Sequence, residues 1–476
     1  MTWKPVIGLE VHVRLKAQSK LFCACANDYG RPPNTAACPV CLGLPGALPT
    51  ANAQAIALAV RAALALNADV QPTSRFARKN YFYPDLPKGY QITQYDQPLA
   101  LGGWLDIPGA ARRIPLTRLH IEEDAGKTAH APARSVSLVD YNRCGAPLAE
   151  IVTEPELTSP AEAAAFLKAL RRLLVWIDVT DGDMEEGALR CDVNVSLRDD
   201  AGRAGERVEI KNLNSFRFVE QSLEYEIARQ QTILEHGGAI ERETRHFDPL
   251  RRATLPMRGK EDSPDYRYFP EPDLPPLALP SALVAEQARL LPEFPDARAA
   301  RLAQAHGLTA AQTAFLMSDR ATADYFEAAV THGAPPVLAA NWLAGEAAAE
   351  LNRRHATIVQ LSVAPLSFAE LLRLLNLGRI TTPAAKALFA EMAATGKPPE
   401  SLLAENPAYL RRDDAETLEK IIDDVIARHP ALVEKYRSGK TAVLDALVGL
   451  AMKAAGGAAD PKQLRDRLIA KLAGDS

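Results

Sequence analysis

Acidic and imidazole side chains recur on segments of the chain that alternate in polarity. Glu10 and His12 are two residues apart on one such segment, so both lie on one strand face, about 6.5–7 Å apart along the strand. Carboxylates that project from successive strands repel one another unless cations lie among them, and hard oxygen ligands suit Mg²⁺. Two interpretations stay open, a magnesium site or a solvated acidic face paired with Arg and Lys. Further candidates along the chain are Glu122, Glu123, Asp124, Glu150, Asp192, Asn194, Glu209 and Lys211.

Four of the six cysteines form two close pairs, Cys23 with Cys25 and Cys38 with Cys41. Zinc takes four soft ligands in a tetrahedron, and two short loops that each donate a pair can supply them. Such a site is structural, because no coordination position is left for a substrate. The alternatives are four unconnected cysteines or a redox pair. The two remaining cysteines, Cys144 and Cys191, stand alone and are expected to be buried apolar residues.

Residues 78–91 interleave three basic side chains with four aromatic ones. A loop of this composition can clamp phosphates with its cations and stack a base on its rings. The aromatic rings can equally pack on the core and leave a structured loop without a ligand. The residues of the loop do not favour one interpretation over the other.

Strands with period-2 alternation must carry the candidate acids. In residues 6–13 the apolar side chains share one face, and Glu10 and His12 share the other. Residues 191–198 repeat this pattern, with Asp192 and Asn194 on the polar face. Helices are predicted at 53–67, 159–176 and 216–236. Strands and helices do not alternate strictly, which favours an α+β domain on a largely antiparallel sheet.

Composition indicates a folded protein with no overall basic surface. The 476 residues are 47% hydrophobic and 24% charged, with a formal net charge of −4, which excludes wholesale disorder. No apolar stretch reaches the roughly 20 residues of a membrane span, and the first residues lack a signal-peptide core. With few cysteines, a cytoplasmic location is expected. Gly126-Lys127-Thr128 and Gly439-Lys440-Thr441 lack the earlier glycine of a P-loop, so an ATP site must have another architecture.

The composition changes near residue 295, where Ala- and Leu-rich helical spacing begins. We expect three domains: a catalytic cradle at 1–294, a helical domain at 295–406 and a small helical tail at 407–476. The Pro-rich stretch 269–280 cannot be a helix or a central strand. It is either a linker or an extended segment that lies on the first domain.

Several motifs are long, ordered and spread over the first 275 or so residues. They resemble the B subunit of tRNA-dependent amidotransferases, the GatB/GatE family. The helical part is less distinctive, although Asn341-Trp342 and residues 449–453 are similar to the family's helical and tail regions. The motifs that carry the resemblance are Ile7-Gly-Leu-Glu-Val-His-Val13, the loop 78–91, and the segments 119–127, 138–143, 184–194, 211–216, 243–245 and 265–272.

The resemblance implies a ligase that works in a heterotrimer with an amidase, the A subunit, and a small C subunit. ATP phosphorylates the side-chain carboxylate of Glu-tRNA(Gln) or Asp-tRNA(Asn), and ammonia channelled from the glutaminase partner then gives Gln-tRNA(Gln) or Asn-tRNA(Asn). The first domain is expected to be a cradle similar to glutamine synthetase, and the YqeY-like tail to bind tRNA. A non-catalytic tRNA-binding scaffold of the same fold is the alternative.

The resemblance also assigns roles to residues by motif position. Glu10, His12, Glu123 and Glu150 are expected to form the magnesium and phosphoryl-transfer centre. Strand alternation lets only one of Glu122 and Glu123 face that centre, and we expect it to be Glu123. The four paired cysteines are expected to bind structural zinc. Contacts to nucleotide or acyl phosphate are expected from Lys79, Asp192, Asn194, Glu209 and Lys211.

Overall fold

A computed structural model describes residues 3–109, 112–131, 136–203, 205–257, 265–411, 415–455 and 459–474. The chain divides into two compact units, Met1–Phe294 and Pro295–Ser476. Within the described ranges, no helix is both long enough and apolar enough to span a membrane. The further boundary expected between residues 406 and 407 stays a prediction.

The first unit is built on one large sheet, which has ten strands in the described residues. Its order is β15-β14-β13-β12-β1-β11-β8-β6-β2, with β7 also paired to β8. The pairs are antiparallel except for β13 with β14, so the expected α+β class with a largely antiparallel sheet is confirmed. Its strands are β1 (Lys4–Arg14), β2 (Asp69–Val70), β6 (Ala100–Leu101), β7 (Trp104–Ile107), β8 (Arg112–Glu123), β11 (Pro147–Thr153), β12 (Leu189–Arg198), β13 (Val208–Leu213), β14 (Glu243–Asp248) and β15 (Ala253–Pro256).

Alternation of side chains gives the central strands one apolar and one polar face. In β1, Ile7, Leu9, Val11 and Val13 are at most 1% exposed, whereas Glu10 and His12 between them are partly exposed. The same holds in β12, where Cys191 and its apolar neighbours on alternate positions are buried. The expected burial of Cys191 and Cys144 is thereby confirmed.

Helices α2 and α3 pack on each other, and α3 also contacts β12 and β13. Ser159 caps α2, with Pro160 in the first turn, because the Ser159 hydroxyl accepts a hydrogen bond from the Glu162 backbone N–H. The helices of this unit are α1 (Ala53–Ala65), α2 (Pro160–Trp176), α3 (Phe216–Glu235) and α4 (Ser281–Leu290).

The Pro-rich stretch is an extended segment on the first unit, one of the two forms expected for it. Two short strands in it pair with strands from the start of the chain, β16 with β4 and β17 with β3. The smaller sheets contain β3 (Thr73–Ser74), β4 (Ala77–Asn80), β5 (Tyr90–Thr93), β9 (Lys127–Ala131), β10 (Val136–Asp140), β16 (Phe269–Pro270) and β17 (Leu277–Ala278).

The second unit is helical in its described residues. Thr309 and Gln312 form a capping box at the start of α6. A π-helical turn at Leu343–Ala347 joins α8 to α9. The helices are α5 (Pro295–His306), α6 (Ala310–Leu316), α7 (Arg320–Thr331), α8 (Pro336–Trp342), α9 (Ala348–Arg354), α10 (Pro365–Asn376), α11 (Thr382–Thr395), α12 (Pro399–Glu405), α13 (Ala415–Arg428), α14 (Pro430–Arg437), α15 (Val443–Ala454) and α16 (Pro461–Gly474).

Candidate active site and metal centres

A group of carboxylates and imidazoles crosses three neighbouring strands on the polar face of the large sheet. His12 of β1 is the direct cross-strand partner of Glu150 of β11, and Glu150 is the partner of His120 of β8. Glu122 follows His120 by two residues and therefore points to the same face. Three of these residues, His12, Glu122 and Glu150, bring one ligand atom each to within 4.8 Å of one another. We call these three residues the carboxylate–histidine cluster.

The contacts within this cluster are close and mostly buried. His12 Nε2 lies 3.4 Å from Glu122 Oε1 and 3.4 Å from Glu150 Oε2. His120 Nε2 lies 3.2 Å from Glu150 Oε2 and 3.6 Å from Glu122 Oε2. The His12 side chain is 21% exposed, whereas those of Glu122 and His120 are 4% exposed. The cluster is therefore anchored in the sheet and reached from solvent at His12.

The charges of the cluster stabilise one another. Burial alone would lower the pKa of His12, yet its hydrogen bonds to Glu122 and Glu150 raise that pKa well above the usual value. Burial would also lower the pKa of His120, but Glu150 and Glu122 raise it to about 9. Burial would raise the pKa values of Glu122 and Glu150, but the two imidazoles hold both below the usual range. The two imidazoles thus favour the ionised form of two carboxylates that lie side by side.

The sequence-based choice of Glu123 for this cluster is corrected by the geometry, which places Glu122 there. Glu123 shares the opposite face with Leu119 and Ile121, as strand alternation requires. Its carboxylate forms a buried ion pair with Lys88 and accepts a 2.8 Å hydrogen bond from the Ile92 backbone N–H. The alternation of Leu119 and Ile121 was the signal in the sequence that could have identified Glu122.

Glu10 lies on the polar face of β1 beside the cluster and is not one of its three ligands. Asn194 donates a 2.9 Å hydrogen bond to the Glu10 carboxylate. Burial, and after it the Glu150 carboxylate, raise the pKa of Glu10. A carboxyl group with a raised pKa is suited to accept and release protons.

The expected nucleotide contacts fall into two groups. Lys211 pairs with Asp192 at 3.0 Å and with Glu209 at 2.9 Å, which ties β13 to β12 next to Glu10. Lys79 belongs to β4 in a smaller sheet, and its ammonium group lies 4.7 Å from the centre of the Tyr266 ring. Burial alone would lower the pKa of Lys79, but the Glu122 carboxylate helps to raise this pKa. Lys79 therefore feels the charge of the carboxylate–histidine cluster.

The basic and aromatic loop at 78–91 combines features of both interpretations given to it. Arg78 is not available to a phosphate, because two of its nitrogens each donate a 2.8 Å hydrogen bond to the buried carboxylate of Glu271. Lys88 is paired with Glu123. Phe82 is 86% exposed and Tyr83 is 52% exposed, so these rings do not pack on the core.

The four paired cysteines converge as the sequence predicts. Cys23, Cys25, Cys38 and Cys41 bring their sulfur atoms to within 4.8 Å of one another, and we call them the four-cysteine cluster. Cys41 Sγ accepts a 3.1 Å hydrogen bond from the Cys38 backbone N–H. A hydrogen bond from Cys23, aided by the Lys20 ammonium group, lowers the pKa of Cys41 to about 4 against the effect of burial.

Sequence reasoning missed three functional candidates at these centres. His120 carries no metal-ligand spacing and was identified only by its cross-strand position. Lys20 is fully buried, and its Nζ donates to the Ala36 carbonyl at 2.6 Å, the Tyr141 carbonyl at 3.2 Å and Cys41 Sγ at 3.6 Å. Arg190 lies opposite His12 in the sheet. Lys20 and Arg190 depend on register or tertiary packing, which the sequence did not provide, whereas the alternation with Leu119 and Ile121 could have assigned His120 to the polar face.

Family models match both units of the chain. The GatB/GatE catalytic domain matches residues 5–285, which include the carboxylate–histidine cluster and the four cysteines. The GatB domain matches residues 324–472. The chain therefore belongs to the GatB/GatE family, which confirms the resemblance seen in its motifs.

Similar proteins match over the full length of the chain. The chain is 47% identical over 480 residues to the B subunit of the aspartyl/glutamyl-tRNA(Asn/Gln) amidotransferase of Geotalea daltonii, with 100% of both chains covered. It is 48% identical to that of Moorella thermoacetica, with 98% of this chain and 100% of the relative covered. It is 46% identical to that of Thermotoga maritima, with 99% of each covered. The expectation that the chain is an amidotransferase enzyme is thereby confirmed.

Proposed function

We propose that the chain uses ATP to activate the side-chain carboxylate of a misacylated tRNA and then amidates it. The substrates are Glu-tRNA(Gln) and Asp-tRNA(Asn), and the products are Gln-tRNA(Gln) and Asn-tRNA(Asn). The names of the relatives, which pair aspartyl and glutamyl with tRNA(Asn/Gln), support this choice. Those names also describe one subunit of a larger enzyme, which supports a complex. The complex would work in the cytoplasm and contain a glutaminase, the A subunit, which supplies ammonia, and a small C subunit.

The proposed chemistry has two steps. An oxygen of the substrate carboxylate attacks the γ-phosphorus of ATP, the bond from that phosphorus to the bridging oxygen breaks, and ADP leaves behind an acyl phosphate. The ammonia nitrogen then attacks the acyl carbon, the bond from this carbon to the phosphate oxygen breaks, and phosphate leaves as the nitrogen loses a proton. Activation is necessary because the charge of a free carboxylate repels a nucleophile. Phosphoryl transfer depends mainly on alignment and on neutralisation of charge.

The observation that carries the proposal is the carboxylate–histidine cluster on an accessible, polar sheet face. Glu122 and Glu150 are ionised, provide hard oxygen ligands and approach a common point with His12 Nε2. Two hard carboxylate oxygens and one imidazole nitrogen that approach a common point form a donor set that fits Mg²⁺. When bound, this ion would neutralise negative charge on phosphate oxygens.

The side chains of this face can perform the remaining tasks. Three adjacent strands fix the relative positions of His12, Glu150 and His120 through backbone hydrogen bonds, so the site is rigid before substrate binds. Lys79, which is half-buried and whose pKa Glu122 helps to raise, supplies a positive charge for phosphate. Glu10, with its raised pKa, is placed to take the proton that the ammonia nitrogen loses. Asp192, Asn194, Glu209 and Lys211 hold Glu10 and its surroundings in place.

Two further roles complete the proposal. The four-cysteine cluster would bind zinc as a structural ion, because four thiolates fill a tetrahedral site and leave no open position. Residues 407–476 would bind tRNA.

The proposed reaction can be tested by withholding ammonia from the assembled complex. The complex is incubated with γ-³²P-labelled ATP, Mg²⁺ and Glu-tRNA(Gln), without glutamine or ammonium. We expect ADP to be released only when the misacylated tRNA is present, and amide to form after ammonium is added. A complex that forms amide without consuming ATP would contradict the proposal. A chain that binds tRNA but supports neither step would be the alternative, a non-catalytic tRNA-binding scaffold.

A further inference from the structure

Arg190 is the basic residue of β12 that lies directly across from His12 in the sheet. Direct cross-strand partners project to the same face, so the guanidinium group belongs to the polar face that carries the cluster. The Arg190 side chain is 36% exposed, which leaves part of it accessible from the open side of the sheet. Burial alone would lower the pKa of Arg190, and Asp124, Glu122 and Asp192 raise it, in keeping with a position among these carboxylates.

One end of the Arg190 side chain is held in a fixed position. Its Nη2 donates a 2.7 Å hydrogen bond to Asp124 Oδ2. Asp124 is 4% exposed, and its backbone N–H donates to the Ala146 carbonyl at 2.8 Å. The same Asp124 oxygen is 3.3 Å from Nε of Arg143, which is itself held by the carbonyls of Ala125 and Gly126. Asp124 is therefore an immobile support for the Arg190 guanidinium.

The Arg190 guanidinium group shares its only paired carboxylate and has a donor without a partner among the described residues. Two guanidinium groups share the carboxylate of Asp124, because Asp192 is paired with Lys211 and Glu122 contacts the two imidazoles. Among the described residues, the buried Nε of Arg190 has no hydrogen-bond partner. An unpaired buried donor is costly to folding, and a bound anion at this position would supply its partner. Other cations of the site, Lys211 and Lys88, are already paired with carboxylates.

A tetrahedral phosphoryl group matches these properties. The planar guanidinium group presents several N–H donors at fixed angles, which suits phosphate oxygens. We propose that Arg190 binds the anionic oxygens of the phosphoryl group while it passes from ATP to the substrate carboxylate beside His12. This inference rests on the proposed function and makes Arg190 a catalytic residue.

The first test compares Arg190→Gln and Arg190→Lys in the assembled complex. Single-turnover ADP formation is measured with saturating ATP, Mg²⁺ and Glu-tRNA(Gln). Loss of one donor to a transition state costs about 100-fold or more in rate, so we expect a loss of that size for Arg190→Gln and an intermediate rate for Arg190→Lys. Arg198→Gln is the matched control, because Arg198 lies at the far end of the same strand opposite Lys4, and it should react at the wild-type rate.

A double variant separates phosphate binding from mere neutralisation of Asp124. If Arg190 acts only through the charge around Asp124, Arg190→Gln combined with Asp124→Asn restores the rate, because Arg143 remains and the double variant again has the wild-type charge at this corner. If Arg190 binds the phosphoryl group, the double variant stays as slow as the single variant at an unchanged unfolding temperature. A restored rate, or a wild-type rate for Arg190→Gln, would overturn the inference alone. A wild-type complex that releases no ADP would overturn the proposed function and this inference with it.

Discussion

The carboxylate–histidine cluster and the four-cysteine cluster are two groups of side chains in the same unit that could hold a metal ion, and they differ in what fixes their geometry. The carboxylates and imidazoles project from paired strands, where backbone hydrogen bonds hold each residue to its neighbour. The cysteines lie in turns and bends between β1 and α1. The first group combines hard oxygen and nitrogen ligands with access at His12, whereas the second has four soft sulfur ligands and no further donor among the described residues.

This difference separates a site that is preorganised from one that an ion must organise. The sheet keeps His12, Glu122 and Glu150 together because the two imidazoles balance the carboxylates. The cysteine segments have only one isolated bridge, Ser19 with Ala26, among the described residues, so a bound ion would contribute more to holding their thiols together. Removal of divalent ions should therefore stop catalysis at the first site and loosen the fold at the second.

The largest expected effect is on catalysis by the carboxylate–histidine cluster. Glu150→Gln removes the carboxylate that both His12 and His120 contact, and we expect amidation of Glu-tRNA(Gln) to fall by about 10³-fold, within the range for loss of a charge-stabilising group. The assay measures Gln-tRNA(Gln) formed by the assembled complex, with the partner's glutamine hydrolysis as a check on assembly. Glu156→Gln, an exposed acid just after β11, is the control. Equal activity of the two variants would remove Glu150 from the site.

The next effect is structural and concerns the four-cysteine cluster. Cys41→Ser removes one of four zinc ligands, so bound zinc should fall from about one equivalent toward zero. The loss should cost a few kcal/mol and lower the unfolding temperature by roughly 5–10 °C, at about 2–4 °C per kcal/mol. Metal analysis and calorimetry measure both quantities. Cys191→Ala, a buried cysteine outside the cluster, should keep its zinc. Full zinc content in Cys41→Ser would show that the cluster is not the binding site.

A smaller effect is expected from the buried cation beside the same cluster. Lys20→Met removes the ammonium group that contacts Cys41 Sγ and two carbonyls, so zinc affinity should fall by about 10–100-fold, as for other residues that support metal ligands. Competition with a chromogenic chelator measures the affinity. Lys16→Met is the control, because Lys16 is exposed and pairs with Asp178. Identical affinities for the two variants would exclude a role for Lys20 in metal binding.

The central strands could be predicted from sequence because one face of the sheet is buried and the other is not. Alternation of Ile7, Leu9 and Val11 with Glu10 and His12 is enough to define the faces of β1. The order of the strands could not be predicted in the same way. The parallel pairing of β13 with β14 and the return of β16 to β4 join segments that are distant in sequence, with no local signal.

The candidate site, like the fold, could be predicted only in part from the sequence. The spacing of the cysteines and the positions of His12 and Glu150 gave most ligands of both clusters. The choice between Glu122 and Glu123 depended on applying alternation through Leu119 and Ile121, which also assigns His120 to the polar face. The Lys88–Glu123 ion pair and the Arg190–Asp124 contact depend on tertiary packing across 35 and 66 residues of sequence. Charge pairing of this kind leaves no trace in residue spacing.

Binding of Mn²⁺ to the assembled complex, followed by electron paramagnetic resonance, tests the central claim most directly. Mn²⁺ is a spectroscopic substitute for Mg²⁺ at oxygen-rich sites. Glu122→Gln should abolish the bound Mn²⁺ signal, because it removes a ligand that lies within 4.8 Å of the other two. Glu123→Gln should lower stability by breaking the buried pair with Lys88 but retain the ion. The opposite result, with Mn²⁺ retained in Glu122→Gln and lost in Glu123→Gln, would contradict the account.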